Sequence, residues 1–148
     1  MLKPALLELF ERDLRRLAEE ISLYTHEADL WLVKPGIANS AGNLCLHLLG
    51  NLNHFVGEIL GKTGYVRDRD SEFALKNVPR QELLDGIESV IQVVADTLHQ
   101  MSEADFDQVY PVPKRDQNVP TDIMLIHLLG HLSYHLGQVN YHRRLVGT

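Results

Sequence analysis

The residues best equipped for chemistry in this 148-residue chain are among its eight histidines. His127, His131 and His135 stand four apart in the stretch from Thr121 to Gln138. On an α-helix, His127 and His135 project about 40° to either side of His131, and Gln138 and His142 also fall within about 40° of it. The spacing makes one polar stripe flanked by leucines. Two imidazoles at i and i+4 can share a metal ion, and imidazole nitrogen is a good ligand for zinc and other late first-row metals at about 2.0–2.1 Å. Taken alone, such a pair is more often a half-exposed helix face, or histidines bonded to backbone carbonyls.

A second segment changes the balance. His47 lies between leucines in Ser40-Ala-Gly-Asn-Leu-Cys-Leu-His47-Leu-Leu-Gly-Asn-Leu-Asn-His54, with Asn43, Gly50 and Asn51 on its side. A third imidazole from a facing helix would complete a three-histidine site. Three protein ligands leave coordination open for water or substrate, the arrangement of catalytic rather than structural metal. His54 follows His47 by one heptad, about 20° away around a regular helix, and competes for the same role. Cys45 projects about 160° from His47 and reads as a small buried apolar residue.

Helices must position these side chains. Leu2, Leu6, Leu9, Leu14, Leu17, Ile21 and Tyr24 predict a first helix over about 2–25, with Glu8/Arg12, Arg15/Glu19 and Arg16/Glu20 on its exposed side. Lys34-Pro35-Gly36 is a turn, and Asn39 or Ser40 can cap a second helix running to about Gly61. Gly50 and Gly57 lie a heptad apart in it. Each costs about 1 kcal/mol against alanine, which suggests close approach of another helix or a ligand; the alternative is tolerated surface glycines. Residues 62–78 read as a loop. Pro79 suits the first turn of a third helix, whose seam is Leu84, Ile87, Ile91, Val94, Leu98 and Met101. Residues 102–120, with Pro111, Pro113 and Pro120, read as an extended crossover or short hairpin. Thr121 can cap a fourth helix to about Leu145. The sum is an all-α, four-helix bundle forming a single domain over 1–148, with second and third connections long enough to be crossovers.

The pieces Asn39-Ser-Ala-Gly-Asn-Leu-Cys-Leu-His47-Leu-Leu-Gly-Asn-Leu, Arg67-Asp-Arg-Asp-Ser-Glu-Phe73 and His131-Leu-Ser-Tyr-His135-Leu-Gly-Gln138 resemble the DinB/YfiT-like superfamily, and within it a bacterial subgroup of unknown function. The resemblance covers nearly the whole chain. It implies up-down-down-up connections, a three-histidine divalent metal site and frequent homodimers. Carried over by position, the ligands are His47, His131 and His135. His127 and Gln138 would then be neighbours that orient a ligand. Relatives include enzymes that use low-molecular-weight thiols.

Composition narrows the function. Fourteen basic residues against 20 acidic give a net charge of -6, and no basic stripe appears, so nucleic acid is not an expected partner. A single cysteine cannot form an intramolecular disulfide, which points to a reducing, cytoplasmic setting. No apolar run reaches the roughly 18 residues of a membrane span, and the start of the chain lacks a signal core.

Other patterns carry less. Arg67-Asp68-Arg69-Asp70-Ser71-Glu72 is alternating charge in a loop; the resemblance allows it to pack beside the site or a partner, but no chemistry is assigned to it. Ser133 projects about 160–200° from its neighbouring histidines, which argues against a serine nucleophile. Trp31 reads as packing under the first loop. The expected function is a metal-dependent enzyme, a thiol-dependent transferase or a hydrolase, with zinc or nickel and no assigned catalytic residue. Gln138 and Tyr134 could hydrogen-bond at the mouth of its site. The alternative is a non-catalytic, metal-binding dimeric scaffold or stress-associated interaction protein, with His127 or His54 as fourth ligand. A weaker third reading is a histidine pH switch.

Overall fold

The computed structural model describes residues 2–147. Those residues form five α-helices: α1 (Leu2–Leu23), α2 (Ala41–Leu52), the short α3 (Arg69–Ala74), α4 (Arg80–Gln100) and α5 (Thr121–Val146). Among the described residues the only β-pairing is two isolated bridges, Val109 with Pro120 and Lys114 with Gln117. These make a short hairpin, one of the two readings left open for residues 102–120. Among the described residues no helix is long and apolar enough to cross a membrane.

The apolar seams explain the packing. On α1 the buried residues are Leu6, Phe10, Leu14, Leu17 and Ile21, with Asp13 beside them. Phe10 takes the core position expected for Leu9. On α4 the seam is Leu83, Ile87, Val90, Ile91, Val94 and Leu98. The α2 helix is buried nearly all round, as its apolar composition requires, and Ser40 caps it by accepting from Asn43 N at 3.2 Å. Helix α1 packs on α4 and α5, and α2 packs on the same two helices. Helices α1 and α2 barely touch, and α4 and α5 touch no more, so the first and third connections cross between helices that are not neighbours, whereas the second joins the packed pair α2 and α4.

Two differences from the periodic pattern matter for the site. After Leu52, α2 continues as a π-helical segment, Asn53–Glu58, where Ile59 N bonds His54 O at 2.9 Å. The wider turn changes the angular step that heptad arithmetic assumes. Residues 62–78 are not all loop, because α3 forms within them. Asp68 caps it, accepting from Ser71 N at 3.3 Å. Asn43 of α2 fastens it: its Nδ2 donates to Glu72 O at 2.9 Å and Leu75 O at 2.8 Å.

The paired glycines mark close approaches. A Cβ on Gly57 would stand 2.9 Å from Val93 Cγ1 of α4. A Cβ on Gly50 would collide with the Glu72 carboxylate of α3. Trp31 is buried with its indole against Gly42, at the first turn of α2.

Candidate metal centre

Helices α2 and α5 bring His47, His131 and His135 together. Their donor atoms all lie within 4.8 Å of one another, the one such histidine, cysteine or carboxylate group among the described residues. His47 Nε2 is 3.2 Å from His131 Nε2, and His135 Nε2 is 3.1 Å from the same atom. The rings meet edge to face, with centroids 5.0 Å apart for His47 and His131 and 4.5 Å for His131 and His135.

Hydrogen bonds on the far side of the rings fix two tautomers. The carboxylate of Glu72 can only accept, so the 3.0 Å contact with its Oε1 requires that His47 Nδ1 carry the proton. His135 Nδ1 likewise donates to Gln138 Oε1 at 2.6 Å. Both Nε2 atoms therefore present bare lone pairs toward His131. His131 Nδ1 is buried with no hydrogen-bond partner among the described residues.

Burial disfavours the protonated form of His131 and His47. Burial, reinforced by His135 and His47, pushes the His131 pKa down from 6.5 to about 4. Burial also lowers that of His47, and the Glu72 carboxylate opposes the shift. Neutral imidazole is the metal-binding form. Ligands about 2.1 Å from one ion lie about 3.0 Å apart at right angles and about 3.4 Å apart at tetrahedral angles. The two observed Nε2 separations, 3.1 and 3.2 Å, fall between those values, so the donor set fits a small divalent cation.

Around the imidazoles is a shell that sequence reasoning only partly saw. Gln138 was expected as a neighbour and holds His135. Tyr134 is exposed, with its ring 5.4 Å from that of His135. His127 is exposed one turn before His131, and His54 lies in the π-helical segment against Phe55; neither joins the cluster. His142 continues the stripe but turns to different neighbours: Tyr24 OH lies 2.7 Å from its Nδ1, and Leu32 O lies 2.8 Å from its Nε2. Cys45 is buried, its thiol pushed up to about 12 by burial.

The residues left without a role were Glu72 and Arg67, in a stretch the resemblance allowed to pack beside the site, and Asn43, placed on the side of His47. Glu72 is 6% exposed and receives Arg67 Nε at 2.9 Å and Arg67 Nη2 at 3.0 Å. Arg67 also lies over the Phe55 ring, and Phe73 packs on His47 with centroids 4.9 Å apart. The charged loop to which no chemistry was assigned thus lies against a proposed ligand. One turn along α5 from His135, a cavity of about 420 Å³ opens, bounded by Asn39, Leu44, Gln138, Tyr141 and Leu145.

Residues 6–147 match a family described as "Protein of unknown function (DUF1572)". The chain belongs to the DUF1572 family. That family is DinB/YfiT-like, in keeping with the resemblance seen in the motifs. No curated protein matches the chain. Among solved structures, a conserved protein from Enterococcus faecalis superposes with a TM-score of 0.72 at 19% identity, covering 97% of this chain and 95% of that one. A DinB-like protein from Bacillus cereus gives a TM-score of 0.70, also at 19% identity, covering 95% of this chain and 89% of that one. These likenesses establish the all-α, DinB-like fold of this DUF1572 member.

Proposed function

We propose that this protein binds one divalent cation, zinc or nickel, through His47, His131 and His135, and that it is a metal-dependent enzyme acting on a small molecule with a thiol or water as nucleophile. The observation that carries the reading is the convergence of three Nε2 atoms, two of them in rings whose proton is held on Nδ1 by hydrogen bonds to Glu72 and Gln138. A cation held by three neutral imidazoles keeps its full charge and, when bound, supplies Lewis acidity that lowers the pKa of a thiol or water beside it.

Two features favour an enzyme over a scaffold. A scaffold calls for a fourth protein ligand, and neither His127 nor His54 is in the cluster. The cavity beyond Gln138, the residue that holds His135, has room for a small molecule, with Asn39, Gln138, Tyr141 and His142 as polar groups and Leu44 and Leu145 as apolar wall.

The cobalt-loaded protein tests the reading. Small thiols should change its visible absorption, and the change should be absent in His47→Ala. A spectrum indifferent to thiols, hydroxide and other small anions would mean a closed site and would overturn the enzyme reading in favour of the scaffold.

A further inference from the structure

The metal-site proposal leaves unexplained why a carboxylate and a guanidinium are buried behind His47. A buried carboxylate is costly unless paired and hydrogen-bonded. Glu72 meets that condition through Arg67, yet an ion pair that only pinned the loop would not need His47. Instead Glu72 Oε1 is shared, 3.0 Å from Arg67 Nη2 and 3.0 Å from His47 Nδ1. The backbone is shaped for the same contact. Asn43 fastens the Glu72 carbonyl, and Gly50 supplies a missing Cβ where the carboxylate passes over α2. Both Asn43 and Gly50 lie within one turn of His47 on α2. A lone imidazole can hold its proton on either nitrogen, and only the Nδ1–H form leaves Nε2 free for a cation.

We propose that Glu72 is the positioning residue of the site: it is not a ligand, but its Arg67-supported carboxylate fixes His47 as the Nδ1–H tautomer and aims Nε2 at His131 and His135. The cation part of this proposal rests on the metal-binding reading; the tautomer part stands without it. Because Glu72 belongs to α3, the segment from Arg67 to Ala74 sets how well the centre holds its ion. Outer-shell groups that orient metal-ligating histidines typically change affinity by about 10–100-fold.

The test has two arms. Zinc affinity is measured by chelator competition for the wild type, Glu72→Ala and Glu72→Gln, with circular dichroism to establish folding. Glu72→Ala should weaken zinc by about 10–100-fold. Glu72→Gln keeps an acceptor for Nδ1–H but loses the charge, so it should lose less affinity; it carries the zinc arm if Glu72→Ala fails to fold. In the other arm, long-range proton–nitrogen NMR on metal-free protein should show His47 protonated at Nδ1 in the wild type and in Glu72→Gln, and shifted toward the Nε2–H form in Glu72→Ala. Zinc affinity unchanged in the folded variants would overturn the proposal, as would a wild-type His47 protonated at Nε2. A wild type that takes up no zinc would sink the metal reading, while the NMR arm would still judge the role of Glu72.

Discussion

His47 Nε2 and His131 Nε2 lie 3.2 Å apart although 84 positions separate the two residues in the chain. Two lone pairs so close repel unless a proton or a cation lies between them. The partners behind the rings direct protons away from this point: Glu72 accepts a hydrogen bond from Nδ1–H of His47, and Gln138 from that of the neighbouring His135. The imidazole cluster is therefore organised from outside inward, by hydrogen bonds that set its tautomers.

Gly50 should be a sensitive reporter of that assembly. Alanine in place of a helical glycine ordinarily gains about 1 kcal/mol. Here the new methyl would collide with a carboxylate held by Arg67 and His47, and overpacking costs about 1–3 kcal/mol. Gly50→Ala should come out destabilised in urea unfolding and should bind zinc more weakly. In a Glu72→Ala background the same change should become neutral or stabilising. Additive effects would show that Gly50 and Glu72 are not coupled.

His142 serves the fold rather than the centre. Tyr24→Phe would leave its buried Nδ1 without a partner, at a cost of about 1–3 kcal/mol in unfolding free energy. Zinc uptake should stay at the wild-type level. A loss of metal in Tyr24→Phe would place His142 in the site.

An acid-side prediction follows from Glu20, which ties α1 to α5 by accepting from Arg143 Nε at 2.7 Å and Asn140 Nδ2 at 2.8 Å. Burial alone would raise the carboxyl pKa, but the Arg143 and Asn140 bonds outweigh it and hold it below the ordinary 4.5. A pKa lower in the folded than in the unfolded chain gives stability that is present above the unfolded value and lost as pH falls through the folded one. Glu20→Gln should therefore be less stable than wild type at neutral pH, by about 1–2 kcal/mol. The gap should narrow as pH falls below 4.5. Urea unfolding across that range checks it, and a gap independent of pH would contradict it.

The exposed side of α5 presents Ile123, Ile126, Tyr134 and Tyr141 in one stripe, with open space above Gly130 and Gly137. We propose that a second copy of the chain covers it. Light scattering at micromolar concentration should give twice the monomer mass of 16.8 kDa, and the monomer mass alone would refute the dimer.

How much of this was legible in the sequence depended on whether a feature was local. His131 and His135 could be aimed from spacing alone, because a helix converts four residues into one direction. His47 could be placed in the middle of a facing helix, and the leucine seams located the long helices to within a few residues. His54 misled because a heptad that keeps the angle also carries the side chain about 10 Å along the helix axis from His47, past the level where His131 and His135 meet it. His142 was in phase but not in company: at its level α5 faces Tyr24 and Leu32 instead of α2's histidine. Glu72 and Arg67 were hidden in an alternating charge run that looks solvated. Their role depends on where α3 docks, which no periodicity reports; the weak signals were Gly50 and Asn43, both polar or small on a buried helix.

The central claim is that the three converging imidazoles form a metal centre, and metal stoichiometry in protein prepared without a histidine tag tests it most directly. Wild type, dialysed against zinc or nickel and freed of loose ions, should retain about one ion per chain. His131→Ala removes the nitrogen common to both short contacts and should retain little, with an unchanged helical circular dichroism signal, because the apolar core holds the fold without metal. Equal metal content in the wild type and His131→Ala would contradict the account.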